Sequence, residues 1–321
     1  MAKIGINASF LDEALKEKID TAAKSNGFDT VYFSDNDDAC HGSDGCEILF
    51  GNFPHAAIKS DNALKWLHCS FAGVDRVISD DIYPNQNVIV TNSAGGYGVT
   101  ISEHMVAVTL MMMRRMPEYA RLVANREWRI IGDIRSIERS VITVVGMGDI
   151  GTKFATKVKA LGAAKVKGVR RTKKPSPECY DEVYTVEDLD EAIKGSDVVA
   201  LCVPGTDATK HLMDEHKFDL MKNGSYLINV GRGGAVDQGA LKKALESGKL
   251  AGAALDVTTP EPLPKDDPLW DAPNIIITPH ISGNMSLDIT RELVVEMFCE
   301  NLKRYANGEK LNNIVDRKIG Y

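Results

Sequence analysis

"SVITVVGMGDIGTKFATKVKALGAAKVKGV", residues 140–169, decides how the chain is read. It opens on a short β-branched run, residues 140–145. "DIGTKFATKVKALG" (149–162) then places Ile150, Phe154, Val158 and Leu161 on one helical face, with Gly162 as a stop. "KVKGV" (165–169) reads as the next strand. Between the first strand and the helix lie Gly146, Gly148 and Gly151, a GxGxxG loop with Asp149 and Ile150 inside it. The first glycine allows a tight turn, the second lets a backbone approach a pyrophosphate, and the third lets the helix pack close to the strand. The helix N-terminus adds unpaired N–H groups and a positive dipole end for the anion. Glycines alone commonly serve turns; the strand, helix and following strand around these three make the stretch a dinucleotide-binding loop.

The same rhythm continues outward. Apolar strands are expected at 197–204, 225–230, 251–257 and 274–280, with a helix over 237–248 opened by Asp237 and closed by Gly248. Near-continuous apolar strands between amphipathic helices indicate a parallel sheet covered on both faces. The N-terminal part repeats this on a smaller scale, with strands at 3–7, 29–33, 47–51, 66–71 and 87–92. "NSAGGYG" (92–98) reads as a hinge, 101–125 as one helix, and 286–307 as a helix returning to the first part. The expected fold is α/β: two Rossmann-like or flavodoxin-like doubly wound parallel-sheet domains with a cleft between them. The expected boundaries are 1–99 plus 288–321 for a discontinuous substrate-binding domain and 100–287 for a dinucleotide-binding domain.

Length agrees, since 321 residues at roughly 150 per domain give two. Acidic residues number 45 against 38 basic, a net charge of −7, so a nucleic-acid partner is not expected. The apolar stretch 105–113 falls well short of the about 20 residues a membrane span needs. The N-terminus shows no export signal, so a cytoplasmic protein with reduced thiols is expected. "CHGSDGC" (40–46) lacks a CxxC and a second ligand pair at zinc spacing; it is read as a surface loop, with no metal site.

A dinucleotide fold ordinarily carries an acid at the end of its second strand, to accept from the adenosine ribose. Eighteen residues separate Gly151 from the end of "KVKGV", and the next residue is Arg170. No carboxylate occurs between Asp149 and Glu178. The cluster Arg170, Arg171, Thr172, Lys173 and Lys174 fills the place of the missing acid. Arg170 with Arg171 or Thr172 suits a 2′-phosphate, while Lys173 and Lys174 add a favourable field. NADP(H) is therefore expected as the preferred cofactor, with NAD(H) second.

Beyond this point the sequence resembles the D-isomer-specific 2-hydroxyacid dehydrogenase family, most of all its glyoxylate/hydroxypyruvate reductase-like subgroup. The motifs that carry the resemblance run in order over nearly the whole chain: "FAGVD" (71–75), "SEH" (102–104), "VVGMGDIG" (144–151), "CVPGTDATKHL" (202–212), "INVGRGGAVD" (228–237), "ALDVTTPEPLP" (254–264) and "ITPHISG" (277–283). The resemblance implies an oxidoreductase passing hydride between a nicotinamide cofactor and a small 2-oxo or D-2-hydroxy acid, and a homodimer.

Such a reduction needs a cation for the substrate carboxylate, and a proton donor beside the carbonyl oxygen. Arg232 follows a strand, and an arginine can fork to carboxylate and carbonyl together. Position alone leaves a turn arginine open; the family motif selects the substrate role. His280 ends the strand "NIIITPH", and an imidazole suits acid/base work near neutrality. Glu261 lies 19 residues earlier; its pairing with His280 is implied by the resemblance. The resemblance also sets Asp256 near the nicotinamide amide, Cys202, Val203, Pro204 and Val230 along the cofactor, and Thr100 on the nicotinamide side. The backbone N–H groups of Ala72 and Gly73 match the loop that holds the substrate carboxylate. Tyr97 and the surroundings of Met105 are expected to shape the side-chain pocket, whose preference among glyoxylate, hydroxypyruvate, phenylpyruvate and branched 2-oxo acids stays open. A second reading is a cofactor-sensing binding protein of the corepressor type on the same fold.

Overall fold

The computed structural model describes residues 1–172 and 174–320; Lys173, read above as part of the basic field, lies outside them. The chain divides into two compact units, Met1–Tyr97 with Met285–Tyr321, and Gly98–Asn284. Each has its own parallel sheet.

In the first unit the strands are β1 (Ala2–Asn7), β2 (Phe28–Tyr32), β3 (Cys46–Gly51), β4 (Trp66–Cys69) and β5 (Ile89–Thr91), in the order β2-β1-β3-β4-β5. This is the flavodoxin-like order. Helices α1 (Glu13–Ser25), α2 (Asn36–Gly42) and α3 (His55–Ser60) connect the first four strands. The stretch read as a surface loop is partly helical, because the Asp35 carboxylate accepts from the N–H groups of Asp37 and Asp38, both at 2.9 Å, and so opens α2. A return helix, Asp288–Ala306, packs on the sheet through aromatic rings. Phe298 stacks on Phe50 at 4.2 Å and on Trp66 at 5.5 Å, and Tyr305 stacks on Trp66 at 5.4 Å. Phe298 is fully buried, and truncating such a ring costs about 3–5 kcal/mol. After the helix, Ile314 bridges Thr91 antiparallel and the Val315 N–H donates to the Val90 carbonyl at 2.8 Å.

In the second unit the strands are β6 (Val141–Val145), β7 (Lys165–Arg170), β8 (Glu182–Thr185), β9 (Val198–Leu201), β10 (Ser225–Asn229), β11 (Leu250–Leu255) and β12 (Ile275–Ile277), in the order β12-β11-β10-β9-β6-β7-β8. Helices α4 (Gly98–Met113), α5 (Met116–Ala124), α6 (Asp149–Ala160), α7 (Leu189–Ile193), α8 (Glu215–Leu220) and α9 (Gln238–Glu246) complete it. β6 lies between β7 and β9, so the strand order reverses there; ligands of open α/β sheets bind beyond the C-terminal strand ends at such a point.

Two elements differ from expectation. β8 has no apolar run; it is a short, partly exposed edge strand whose place comes from pairing with β7. The helix expected over 101–125 breaks into α4 and α5. Arg115 takes φ 58° and Pro117 sits in the first turn of α5, where its ring and missing N–H suit a helix start rather than a helix interior. No described helix is long and apolar enough to cross a membrane.

Candidate active site

The glycine loop follows β6. Gly146 has φ 104°, and a side chain there would collide with the Cys202 carbonyl. A Cβ on Gly151 would strike the Gly146 carbonyl and approach Val144 Cγ1 to 2.9 Å. Gly148 differs: among the described residues an added Cβ would meet nothing within 4 Å. Gly148 is also the N-cap of α6 and offers no side-chain cap. The first and third glycines therefore serve protein packing, while the second keeps open space in front of an uncapped helix N-terminus. That cradle fits a pyrophosphate. Asp149 puts a carboxylate in the same turn, but it is ion-paired with Lys153 one turn along.

At the end of β7, Arg170 donates through Nη1 to the carbonyls of Lys174 (3.3 Å) and Pro175 (3.1 Å). Arg171 and Thr172 are exposed. The carbonyls of Lys174 and Pro175 thus lie back against the strand end at Arg170. Gly168, inside β7, is required by its neighbours: Met147 of the glycine loop and the Tyr180 ring would lie 2.6 and 2.8 Å from a Cβ.

Cys202, Val203 and Pro204 follow β9. Burial pushes the Cys202 thiol up to about 12, and its sulfur lies 3.9 Å from that of Met105, so it is a wall rather than a nucleophile. Val230 follows β10, is buried, and donates its N–H to the Leu201 carbonyl at 3.1 Å. Thr100 lies in the first turn of α4. Tyr97 is buried, its hydroxyl donating to the Ser70 carbonyl at 2.6 Å.

Arg232 comes two residues after Val230, half-buried, with Nη1 donating to the Gly231 carbonyl at 2.8 Å. Its turn is fixed by Asn229, whose amide donates to the Arg232 carbonyl (2.9 Å) and accepts from the Gly231 N–H (3.1 Å). Gly231 lies against the Val203 backbone and Gly233 against the Thr258 carbonyl, so neighbouring loops fill the space on both sides of Arg232.

His280 stands three residues beyond β12. Its Nδ1 lies 2.9 Å from Glu261 Oε2, and since a carboxylate accepts, Nδ1 carries the hydrogen and Nε2 is left for proton transfer. The other oxygen, Oε1, accepts from the Thr258 N–H at 3.0 Å, which fixes the carboxylate plane. Gln238 clamps this loop through both amide atoms, accepting from the Thr259 N–H (2.7 Å) and donating to its carbonyl (3.0 Å).

Asp256, at the end of β11, is buried. Its carboxylate accepts from Thr278 Oγ1 (2.6 Å), the Ile281 N–H (2.9 Å), the Ser282 N–H (3.0 Å) and Ser282 Oγ. Its carbonyl accepts from the His280 N–H at 2.9 Å. Asp256 thereby pins both sides of the histidine loop. His104 on α4 is half-buried; burial lowers its pKa and the charge of Asp256 partly offsets this. Asn229 and Gln238 escaped the sequence reading because a side chain that holds a backbone turn leaves no periodicity or spacing signal.

Strand order, glycine loop and imidazole–carboxylate pair together define the class: an oxidoreductase that works with a nicotinamide dinucleotide. The family model for "D-isomer specific 2-hydroxyacid dehydrogenase, NAD binding domain" matches residues 106–282. The chain belongs to the D-isomer specific 2-hydroxyacid dehydrogenase family. It is 32% identical over 243 residues to a glyoxylate reductase of Korarchaeum cryptofilum, covering 73% of this chain and 71% of that one. A family member from Aeromonas salmonicida has a similar structure, with TM-score 0.86 and 30% identity over 98% of this chain and 99% of the other. So does a family member from Xanthobacter autotrophicus solved with NADPH and MES, with TM-score 0.83 and 28% identity over 100% of this chain and 99% of the other.

Proposed function

We propose that this enzyme reduces a small 2-oxo acid, of the glyoxylate or hydroxypyruvate type, to the D-2-hydroxy acid, with NADPH as the preferred donor. The observation that carries the reading is the His280–Glu261 pair at 2.9 Å, on a loop anchored by Asp256. The nicotinamide, when bound, supplies the hydride. Arg232 holds the substrate carboxylate and polarises the carbonyl, the N–H groups of Ala72 and Gly73 bind the carboxylate, and His280 Nε2 gives its proton to the developing alkoxide. Glu261 keeps Nδ1 protonated and the ring oriented. The Gly98–Asn284 unit is the cofactor domain and the other unit the substrate domain. Gly146, Gly148 and Gly151, with the backbone of Asp149 and Ile150, receive the pyrophosphate. Cys202, Val203, Pro204, Val230, Asp256 and Thr100 flank the rest of the dinucleotide.

The NADPH preference rests on Arg170 at the end of β7, in the stretch without a carboxylate, and agrees with the NADPH bound by the Xanthobacter relative. With glyoxylate as substrate, kcat/KM should be higher with NADPH than with NADH. Arg170→Ser should cut that ratio roughly tenfold, the loss of one charge-assisted contact. Equal or better use of NADH by the wild type would overturn the preference.

The homodimer is supported by exposed apolar side chains on α5 and the segment after it: Met116, Val123, Ile130 and Ile134 are exposed, and Trp128 is 104% exposed. Light scattering on the purified chain tests it; a monomer at micromolar concentration would overturn it.

A further inference from the structure

The start of the loop after β4 is clamped through its carbonyls. Four successive carbonyls, those of Cys69, Ser70, Phe71 and Ala72, all accept from the segment 92–97. The donors are Ser93 Oγ (2.9 Å), Tyr97 OH (2.6 Å), the Ser93 N–H (3.1 Å) and Asn92 Nδ2 (2.7 Å). Among the described residues, the N–H groups of Ala72 and Gly73 donate to no protein acceptor. The peptides joining 71 to 72 and 72 to 73 are trans. In a planar trans peptide the carbonyl and the following N–H point in opposite directions. Clamping the Phe71 carbonyl therefore aims the Ala72 N–H, and clamping the Ala72 carbonyl aims the Gly73 N–H.

The second of these clamps is a side chain. Asn92 is buried, and its amide orientation is fixed because Oδ1 accepts from the Ala94 N–H at 3.2 Å. Asn92 is itself bracketed by Asn313 from the chain end. The Asn92 N–H donates to the Asn313 carbonyl (3.2 Å), and Asn313 Nδ2 donates to the carbonyls of Asn92 (3.2 Å) and Ala94 (2.8 Å). We propose that Asn92 is a positioning residue for substrate: through the Ala72 carbonyl it aims the Gly73 N–H at the carboxylate of the 2-oxo acid. This rests on the assignment of Ala72 and Gly73 to that carboxylate. The stretch 92–98, read from sequence as a hinge, then begins with the residue that sets the anion loop.

The test uses Asn92→Ala and Asn92→Asp. The second is isosteric and keeps Oδ1 for the Ala94 N–H, replacing only the donor that faces the Ala72 carbonyl. Both variants should raise KM for glyoxylate roughly ten- to a hundredfold, as expected for a misaimed hydrogen bond to a charged group. The Kd for NADPH should stay within about twofold, and kcat should change less than KM. Glycine-selective ¹⁵N labelling of the NADPH-loaded protein reads the contact directly. The Gly73 amide signal should shift on addition of oxamate in the wild type and lose most of that shift in both variants. No oxamate shift in the wild type would overturn the carboxylate assignment itself. A shift and a KM that both persist in the variants would overturn the role of Asn92 and leave that assignment standing. Equal losses in kcat and in NADPH affinity, without a selective rise in KM, would reduce Asn92 to a folding residue and equally overturn the proposal.

Discussion

His280 is held in a conformation its residue type disfavours. Its φ of 53° lies in the left-handed region, a cost of order 1 kcal/mol for a non-glycine residue. Its N–H offsets this by donating to the carbonyls of Asp256 and Thr278, both at 2.9 Å. His280→Ala should lower kcat by about 10²–10⁴-fold while the Kd for NADPH, measured by fluorescence titration, stays within about twofold. Turnover near wild type would remove His280 from the proton-donor role. Spacing alone does not show that His280 meets Glu261 across 19 positions; the family resemblance implied the pair, and the structure has it at 2.9 Å. It depends on the Thr258 N–H and the Gln238 clamp, which fix one oxygen of Glu261 and the backbone beside it.

At the scale of elements, the glycine loop separates packing from binding. Gly151→Ala puts a methyl group against the Gly146 carbonyl at the contact between α6 and β6, so it should lower stability by about 1–3 kcal/mol in urea denaturation. Among the described residues the methyl group of Gly148→Ala meets nothing within 4 Å, so its stability should stay within about 0.5 kcal/mol of wild type. The same methyl group fills the space before the helix N-terminus, so its Kd for NADPH should rise at least about tenfold, the reverse of a packing defect. Wild-type NADPH affinity in Gly148→Ala would show that the pyrophosphate does not sit there. The motif made the three glycines visible as a set; only the neighbouring Cys202, Val144 and Gly146 atoms divide their work. The break between α4 and α5 is a related case. Periodicity runs on through Arg115 and Pro117, and the local backbone chemistry overrides it.

On the scale of the whole molecule, two buried groups of the first unit oppose each other in pH. Burial, with a smaller contribution from Asp44, raises the Asp61 carboxyl from 3.8 to about 6, and among the described residues its Oδ2 has no hydrogen-bond partner. The folded protein thus binds more protons than the unfolded chain between these values, and stability falls as pH rises through that window. Burial lowers His68 from 6.5 to about 3, so there the unfolded chain binds more protons and stability falls as pH drops through that range. Asp61→Asn keeps an acceptor for the N–H groups of Gly45 and Ala63 and removes the buried charge. Its Tm should exceed wild type by about 2–4 °C at pH 7, with the gap closing towards pH 4. A gap that did not change with pH would mean that charge is not the cause.

The sequence by itself determined the two parallel-sheet folds and the glycine loop after β6, and it singled out Arg232, Glu261 and His280 as candidates, because apolar periodicity, glycine spacing and family motifs are local or ordered along the chain. The tertiary structure alone decided the edge strand β8, the helix break, and the amide clamps of Asn229, Gln238 and Asn92. Those depend on a hydrogen bond to one backbone group brought near by folding, and the spacing of residues along a chain carries no record of it.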